Sequence, residues 1–297
     1  MSRWNFGDIT VDRVLEFERP LATLSYLYPA APKDGLEPHR SWLEPHLLDP
    51  ATGLLQIAFH TFVIRTPRTT VLVDTCSGND RQRPQKTRYH MNDWPYLERL
   101  AAAGVQPEAV DYVLCTHLHV DHVGWNTRLV GGRWVPTFPN ARYLFSRREW
   151  AYWEAHYRTE AFTDDPYYED SILPVIAAGR AVFVDDDYQV DTGVTLEPTP
   201  GHTPGHVCVR VEGGGRTAVL SGDLMHHAVQ CAEPDWNSCF CVDPALSRAT
   251  RRAFLERHAD TPTLVMPAHF PTPSAGRIVP SGKAYRFWFD GAPRPPR

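Results

Sequence analysis

Four side chains that can bind a metal ion fall within one short segment, directly after an apolar run at residues 110–115. That run is typical of a buried strand, and His117, His119, Asp121 and His122 follow as the chain leaves it. In an extended or turning backbone, residues i and i+2 point the same way, so His117 and His119 can bind one ion. Asp121 and His122 come where the chain turns and can face a neighbouring position. Imidazole and carboxylate ligands suit zinc and similar metals, so the segment predicts a metal site at a strand end.

Three later segments place further candidate ligands at the ends of predicted strands. His202 lies in a turn rich in Gly and Pro, Asp223 follows an apolar run at 218–220, and His269 follows another at 264–266. Each alone is typical of a hydrogen-bonded loop residue. In this order after the first segment they form a specific set.

Strands and helices are mixed along the chain, which predicts sheets covered by helices. The predicted strands are residues 9–17, 54–65, 70–73, 110–115, 141–145, 181–184, 194–196, 207–211, 218–220 and 264–266. One helix is predicted at 93–103, a second follows the capping-box pattern Ser146-x-x-Glu149, and a third follows an N-cap at Asp243. The 27 prolines predict elaborate loops, the longest of them at 29–53.

The motif His117-x-His119-x-Asp121-His122, followed by His202, Asp223 and His269, resembles the metallo-β-lactamase superfamily. The resemblance spans roughly residues 9–269. It implies an α/β fold, an αβ/βα sandwich of two mixed β-sheets flanked by helices, with metals at one edge between the sheets. It also implies that a first ion is bound by His117, His119 and His202. A second ion would be bound by Asp121, His122 and His269, with Asp223 bridging the two.

The resemblance implies supporting and catalytic roles as well. Asp74, at the end of strand 70–73, matches the family's strand-end aspartate, which supports the site without binding metal, and Thr116 is expected to assist it. Asp121, Asp223 and His226 are the predicted catalytic residues. His226 stands three positions after the bridging aspartate, where methyl-parathion-hydrolase-like enzymes have histidine and acyl-homoserine-lactone lactonases have tyrosine. It would donate a proton to an oxyanion or leaving group, and a purely structural histidine is the alternative.

The expected function is metal-dependent hydrolysis of lactones, carboxylic esters or phosphotriesters by a hydroxide that bridges two divalent ions. Zinc is the expected metal, and iron, manganese or cobalt also fit these ligands. A small apolar ester or lactone is the expected partner, bound in a pocket that includes Trp42 and Phe270. Alternatives on the same fold are a mononuclear-iron thiol or persulfide oxygenase, a glyoxalase-II-like thioester hydrolase and a non-catalytic binding protein.

Net charge and hydropathy limit the expected partners and location of the protein. The 297 residues carry a net charge of −5, which argues against nucleic acid or an anionic membrane as partner. No apolar run reaches the roughly 18 residues of a membrane span, and the first residues lack a signal-peptide pattern, so a cytoplasmic location is predicted.

We expect one domain over residues 1–297, with a loop-rich segment at about 20–53 and a short C-terminal tail. By analogy with relatives that pair through N-terminal hairpins, the aromatic-rich start is compatible with a homodimer.

Overall fold

The computed structural model describes residues 2–159 and 166–292, and within them the chain forms two large sheets and one small hairpin. The strands from the first half of the chain are β1 (Arg3–Phe6), β2 (Ile9–Ala22), β3 (Leu55–Arg65), β4 (Thr70–Val73), β5 (Tyr112–Leu114), β6 (Thr127–Val130), β7 (Arg133–Pro136) and β8 (Arg142–Ser146). The later strands are β9 (Ala181–Val184), β10 (Gln189–Asp191), β11 (Val194–Pro198), β12 (Val207–Gly213), β13 (Arg216–Gly222), β14 (Leu264–Pro267), β15 (Gly276–Ser281) and β16 (Ala284–Phe289).

Both large sheets mix parallel and antiparallel pairs. The first has the order β1-β2-β3-β4-β5-β8-β9, antiparallel from β1 to β4 and parallel from β4 to β9. The second has the order β10-β11-β12-β13-β14-β15-β16, in which only β13 and β14 run parallel. The hairpin β6–β7 stands apart from both.

Helices cover the outer faces of the sheets. They are α1 (Leu24–Leu27), α2 (Arg40–Leu43), α3 (Tyr96–Ala102), α4 (Arg147–Tyr157), α5 (Tyr167–Ser171), α6 (Leu173–Ala177), α7 (Val229–Ala232) and α8 (Pro244–His258). Helices α3 and α4 pack on the first sheet, and α7 and α8 pack on the second. No helix in the described part of the chain is long and apolar enough to cross a membrane.

The alternation of strand side chains builds two cores. In β4, Val71 and Val73 face a core shared with Leu220 and Met266 of the other sheet, while Leu72 faces a core shared with helical residues such as Leu100. Each sheet therefore buries one face against its partner and the other under helices. This is the predicted αβ/βα sandwich, and the fold prediction is confirmed.

Several element predictions need correction. The first predicted strand continues beyond residue 17 to Ala22, and the predicted loop at 29–53 contains α2 and a 3-10 turn at Glu37–His39. The hairpin β15–β16 was not predicted, because its strands bury few apolar side chains and Pro280 interrupts the pattern. The Asp243 N-cap is confirmed, since its side chain accepts the Leu246 N–H at 2.9 Å. The expected tail extends to residue 297, so its last five residues lie outside the described ones.

Candidate metal centre

Seven side chains from both sheets meet at one edge of the sandwich. The segment after β5 supplies His117, His119, Asp121 and His122, and the ends of β11, β13 and β14 lead to His202, Asp223 and His269. Two groups with ligand atoms within 4.8 Å of one another result. The first cluster consists of His117, His119, His202 and Asp223, and the second of Asp121, His122 and His269.

The imidazoles of the first cluster converge on one point. His202 Nε2 lies 2.9 Å from His119 Nδ1 and 3.2 Å from His117 Nε2. His117 Nε2 and His119 Nδ1 are 3.0 Å apart. These three ring nitrogens therefore lie close enough together to bind a single cation.

Asp223 lies between the two clusters and faces one carboxylate oxygen to each. Its Oδ2 is 3.3 Å from His202 Nε2 and 3.7 Å from His117 Nε2. Its Oδ1 is 3.0 Å from His269 Nε2 and 3.2 Å from His122 Nε2. This is the arrangement that a bridging carboxylate requires.

Hydrogen bonds on the far side of two imidazoles fix their tautomers. His269 Nδ1 lies 3.0 Å from the carbonyl oxygen of Ala58, which can only accept, so Nδ1 carries the proton. The Thr116 hydroxyl donates to the Asp74 carboxylate and therefore accepts from His117 Nδ1, at 3.1 Å. In their neutral forms both rings therefore direct an Nε2 lone pair at the carboxylate of Asp223. The carboxylate also has only lone pairs to offer, so acceptors face each other here. His122 Nε2 and Asp223 Oδ1 are buried and face each other at 3.2 Å, yet neither makes a hydrogen bond of good geometry with any described residue. A bound cation satisfies all of these groups, so the residues fit a metal centre.

The electrostatics of the two clusters differ. Burial and the neighbouring imidazole of His122 hold the pKa of His117 well below its usual value, and burial lowers the pKa of His119 to about 4. Both imidazoles therefore favour the neutral form, which can bind a metal. Burial opposes a charge on His122 and His269 too, but nearby carboxylates outweigh it and raise both pKa values, chiefly Asp223. Burial also opposes a charge on Asp223, yet the surrounding imidazoles hold its pKa well below the usual range. The imidazoles of the second cluster, His122 and His269, therefore favour their protonated form.

Asp74 and Thr116 support the centre without pointing into it. Asp74 Oδ1 accepts the Thr116 N–H at 2.7 Å, and its Oδ2 lies 2.9 Å from His122 Nδ1. Asp74 has a φ of 58°, an unfavourable conformation for a residue other than glycine. Its backbone strain is compensated by these contacts, which orient the first turn of the ligand segment.

Gly222 and His206 position Asp223. The Asp223 N–H donates to His206 Nε2 at 3.0 Å, and His206 Nδ1 lies 2.8 Å from the Thr199 hydroxyl. Burial lowers the pKa of His206 to about 4, so the ring stays neutral and can accept. Gly222 has a φ of 47°, and a Cβ there would lie 2.7 Å from His206 Nε2. The backbone can pass this close to the ring only at glycine.

Glu149 ties the two ligand segments of the first cluster together. It is buried, and its Oε1 accepts the Leu118 N–H at 3.0 Å and the Trp153 indole N–H at 2.6 Å. Its Oε2 accepts the Gly205 N–H at 3.0 Å. The capping-box prediction was right in that Ser146 caps α4. The carboxylate, however, bonds to two distant loops, a role that no local pattern indicates.

Tyr89 is another residue that the sequence did not single out. Its hydroxyl donates to Asp121 Oδ2 at 3.0 Å, while that oxygen lies 3.7 Å from His269 Nε2. The ring packs edge-on against Phe59, which in turn contacts the His269 ring. Tyr89 comes from a 3-10 turn at Thr87–Tyr89 without regular periodicity, so nothing in the local sequence marks it.

The metallo-beta-lactamase superfamily model matches residues 60–269, more than half of the chain, and this stretch contains all seven converging side chains. The chain belongs to the metallo-beta-lactamase superfamily. An N-acyl homoserine lactonase of Bacillus cereus is 34% identical over 113 residues, which are 38% of this chain and 37% of that protein. The chain therefore matches little more than a third of that relative's length.

Solved structures of the superfamily share the fold over nearly the whole chain. The hydrolase AbOPH has a TM-score of 0.80 at 24% identity and covers 98% of each chain. AidC, a dizinc quorum-quenching lactonase in complex with an acyl-homoserine product, has a TM-score of 0.76 at 20% identity, covering 99% of this chain and 98% of its own. At these sequence identities, the structural similarity establishes a shared fold and nothing about function.

In this member of the superfamily, a cavity of about 500 Å³ opens beside the centre. Its lining includes His119, Asp121, Asp223 and His226 together with aromatic and basic side chains. His226 is buried, and its Nε2 lies 3.1 Å from Asp223 Oδ2. The position suits the predicted donor role.

The two aromatic residues expected to line the pocket lie elsewhere. Phe270 is fully buried and packs edge-on against Phe287, because adjacent residues in extended backbone face opposite sides. Trp42 lies in α2 under the guanidinium of Arg286. The apolar lining is instead supplied by Tyr26, Tyr152, Trp153, Tyr167, Phe240 and Val242.

Proposed function

We propose that this protein is a metal-dependent hydrolase of lactones and related carboxylic esters, with phosphotriesters within its chemical range. The observation that carries the proposal is Asp223, whose two oxygens each face one cluster of buried ligands. The sequence similarity to N-acyl homoserine lactonases supports lactones as the first class to test.

The proposed centre holds two divalent ions. His117, His119 and His202 would bind one, the second cluster the other, and Asp223 both. When bound, such ions polarise a carbonyl or phosphoryl oxygen and lower the pKa of water to about 7. Only Asp121 and Asp223 contribute negative charge, so they offset half the charge of two divalent ions. With both ions bound, the excess positive charge would favour a developing oxyanion during ester hydrolysis.

Side chains of this protein hold and orient the reacting groups. Asp74 and the main-chain carbonyl of Ala58 hold the imidazoles of His122 and His269 from behind. Glu149 fixes the loops on either side of the first cluster, so little reorganisation is needed during reaction. His226 faces the cavity beside Asp223 and would donate a proton to the oxyanion or to the leaving alkoxide. The aromatic wall around Trp153 would receive the acyl or aryl part of the substrate, away from water.

Metal analysis and a substrate panel test the proposal together. Purified protein should contain about two equivalents of zinc, iron, manganese or cobalt. Metal-replete protein should hydrolyse γ- and δ-lactones, aryl esters or phosphotriesters, ranked by kcat/KM, and chelation should abolish this activity. Full activity in chelated and washed protein would refute the proposal. One redox-active iron with oxygen consumption on a thiol or persulfide would favour the oxygenase alternative.

A further inference from the structure

Arg88 lies in the cavity wall and has no acidic partner in the described part of the chain. Other arginines of this part of the chain are neutralised by a carboxylate, as Arg83 is by Asp170 at 2.6 Å. Among residues 2–159 and 166–292, no carboxylate lies within ion-pair distance of Arg88, and no described side chain accepts a hydrogen bond from it. Its guanidinium is nevertheless half-buried at the cavity.

Aromatic rings hold this guanidinium in place. Its Cζ lies 4.7 Å from the ring centroid of Tyr26 and 5.8 Å from that of Tyr89. Stacking of this kind orients the planar group while leaving its N–H edge free to donate. Tyr89 in turn donates to Asp121 at 3.0 Å, so the arginine is connected to the metal centre through one rigid ring.

The charged groups in the cavity lining also favour an anionic ligand at Arg88. The carboxylates in its described lining are Asp121 and Asp223, and both face imidazoles of the centre. The protein as a whole is acidic, with a net charge of −5. Lys86 and Arg88 line the same cavity, and since both carboxylates face the centre, the guanidinium of Arg88 meets no described carboxylate and can pair with an anionic ligand. A guanidinium fork matches a carboxylate, with two parallel N–H···O bonds.

We propose that Arg88 binds a carboxylate carried by the substrate itself, at the end of the molecule away from the scissile ester. The substrate class is thereby narrowed to half-esters or lactones with a free acid group. The inference rests on the proposed hydrolase function. The cavity volume of about 500 Å³ accommodates a small molecule that reaches both Arg88 and the centre.

A matched pair of esters tests the proposal. The mono-4-nitrophenyl ester of adipic acid and 4-nitrophenyl hexanoate have the same leaving group and chain length, and they differ in the terminal carboxylate. We expect wild-type protein to prefer the adipate half-ester. In R88Q the ratio of the two kcat/KM values should fall about 10- to 100-fold, as for loss of a charged hydrogen bond. R88K should fall in between, because it keeps the charge but loses the fork.

The control is R286Q. Arg286 also stacks on an aromatic ring, that of Trp42 at 4.8 Å, but does not line the cavity. R286Q should keep the wild-type ratio. An unchanged ratio in R88Q would overturn the proposal, including the case in which both esters lose rate equally.

Direct binding separates this inference from the proposed activity. Calorimetry with metal-replete protein should show adipate binding more tightly than hexanoate, with the difference lost in R88Q and reduced by salt. This result would support the carboxylate site even if no ester were hydrolysed. Equal affinities for adipate and hexanoate in wild-type protein would exclude it.

Discussion

Replacing Glu149 should weaken both the fold and the first cluster, although its carboxylate makes no hydrogen bond to the side chains of that cluster among the described residues. Its carboxylate accepts N–H groups from Leu118, Trp153 and Gly205. Leu118 stands between His117 and His119, and Gly205 closes the turn that carries His202. A Cβ at Gly205 would lie 2.1 Å from the Glu149 nitrogen, so the two backbones are in close contact here.

The expected loss in the free energy of unfolding depends on how many of these N–H groups lose their acceptor. In E149Q the amide oxygen can replace one carboxylate oxygen, but the NH₂ group then faces the Gly205 N–H. One buried donor loses its partner, at a cost of about 1–3 kcal/mol in the free energy of unfolding. In E149A all three donors are left without an acceptor, and we expect a loss of at least about 3 kcal/mol. Loosening the loops behind the ligands should also weaken metal binding at the first cluster by roughly 10- to 100-fold.

Urea unfolding and titration with Co²⁺, followed by its absorption spectrum, measure the two effects. The control is E154Q on the same helix, where a partly exposed Glu154 pairs with Arg158. This change should alter stability by less than about 0.5 kcal/mol and leave Co²⁺ binding intact. If E149Q unfolds and binds Co²⁺ as E154Q does, Glu149 does not hold the loops.

Three further changes test other parts of the centre. G222A should destabilise the fold by about 1–3 kcal/mol in urea unfolding and reduce metal content, because its Cβ would collide with His206; wild-type stability would contradict the close approach. H226A should retain both metals by elemental analysis yet lower kcat about 100- to 1,000-fold, and unchanged turnover would leave His226 a structural role. Chelation should lower Tm, and added Zn²⁺ should restore it, because metal binds the folded state; a Tm insensitive to both treatments would argue against the centre.

The sequence located the converging side chains because each lies in a segment that follows a strand, where the geometry is constrained. Four lie in one continuous segment, and His202, Asp223 and His269 follow strands whose ends meet at the same edge. Their convergence is seen in the structure, while their binding of metal remains a proposal. Short apolar runs between Gly and Asp turns define most of the strands and predicted sheets covered by helices, whereas the two-sheet sandwich was expected from the resemblance to the superfamily.

The cavity wall could not be predicted from local pattern. Phe270 was chosen for its position next to His269, yet neighbours in extended backbone face opposite sides. Arg88 and Tyr89 lie in an irregular segment, and their placement depends on tertiary contacts with Tyr26 and Asp121. Glu149 shows the same limitation, because its capping pattern is local whereas its partners are distant.

Each cluster draws ligands from both layers of the sandwich, and this has a consequence for how the protein keeps its shape. His117 and His202 approach within 3.2 Å although 85 positions separate them. The cysteines are all unpaired thiols. Ions held at this edge would thus act as reversible interlayer cross-links in a molecule without covalent ones. The population of intact protein would then follow the free concentration of the ion in its surroundings, so that metal supply would regulate abundance as well as catalysis.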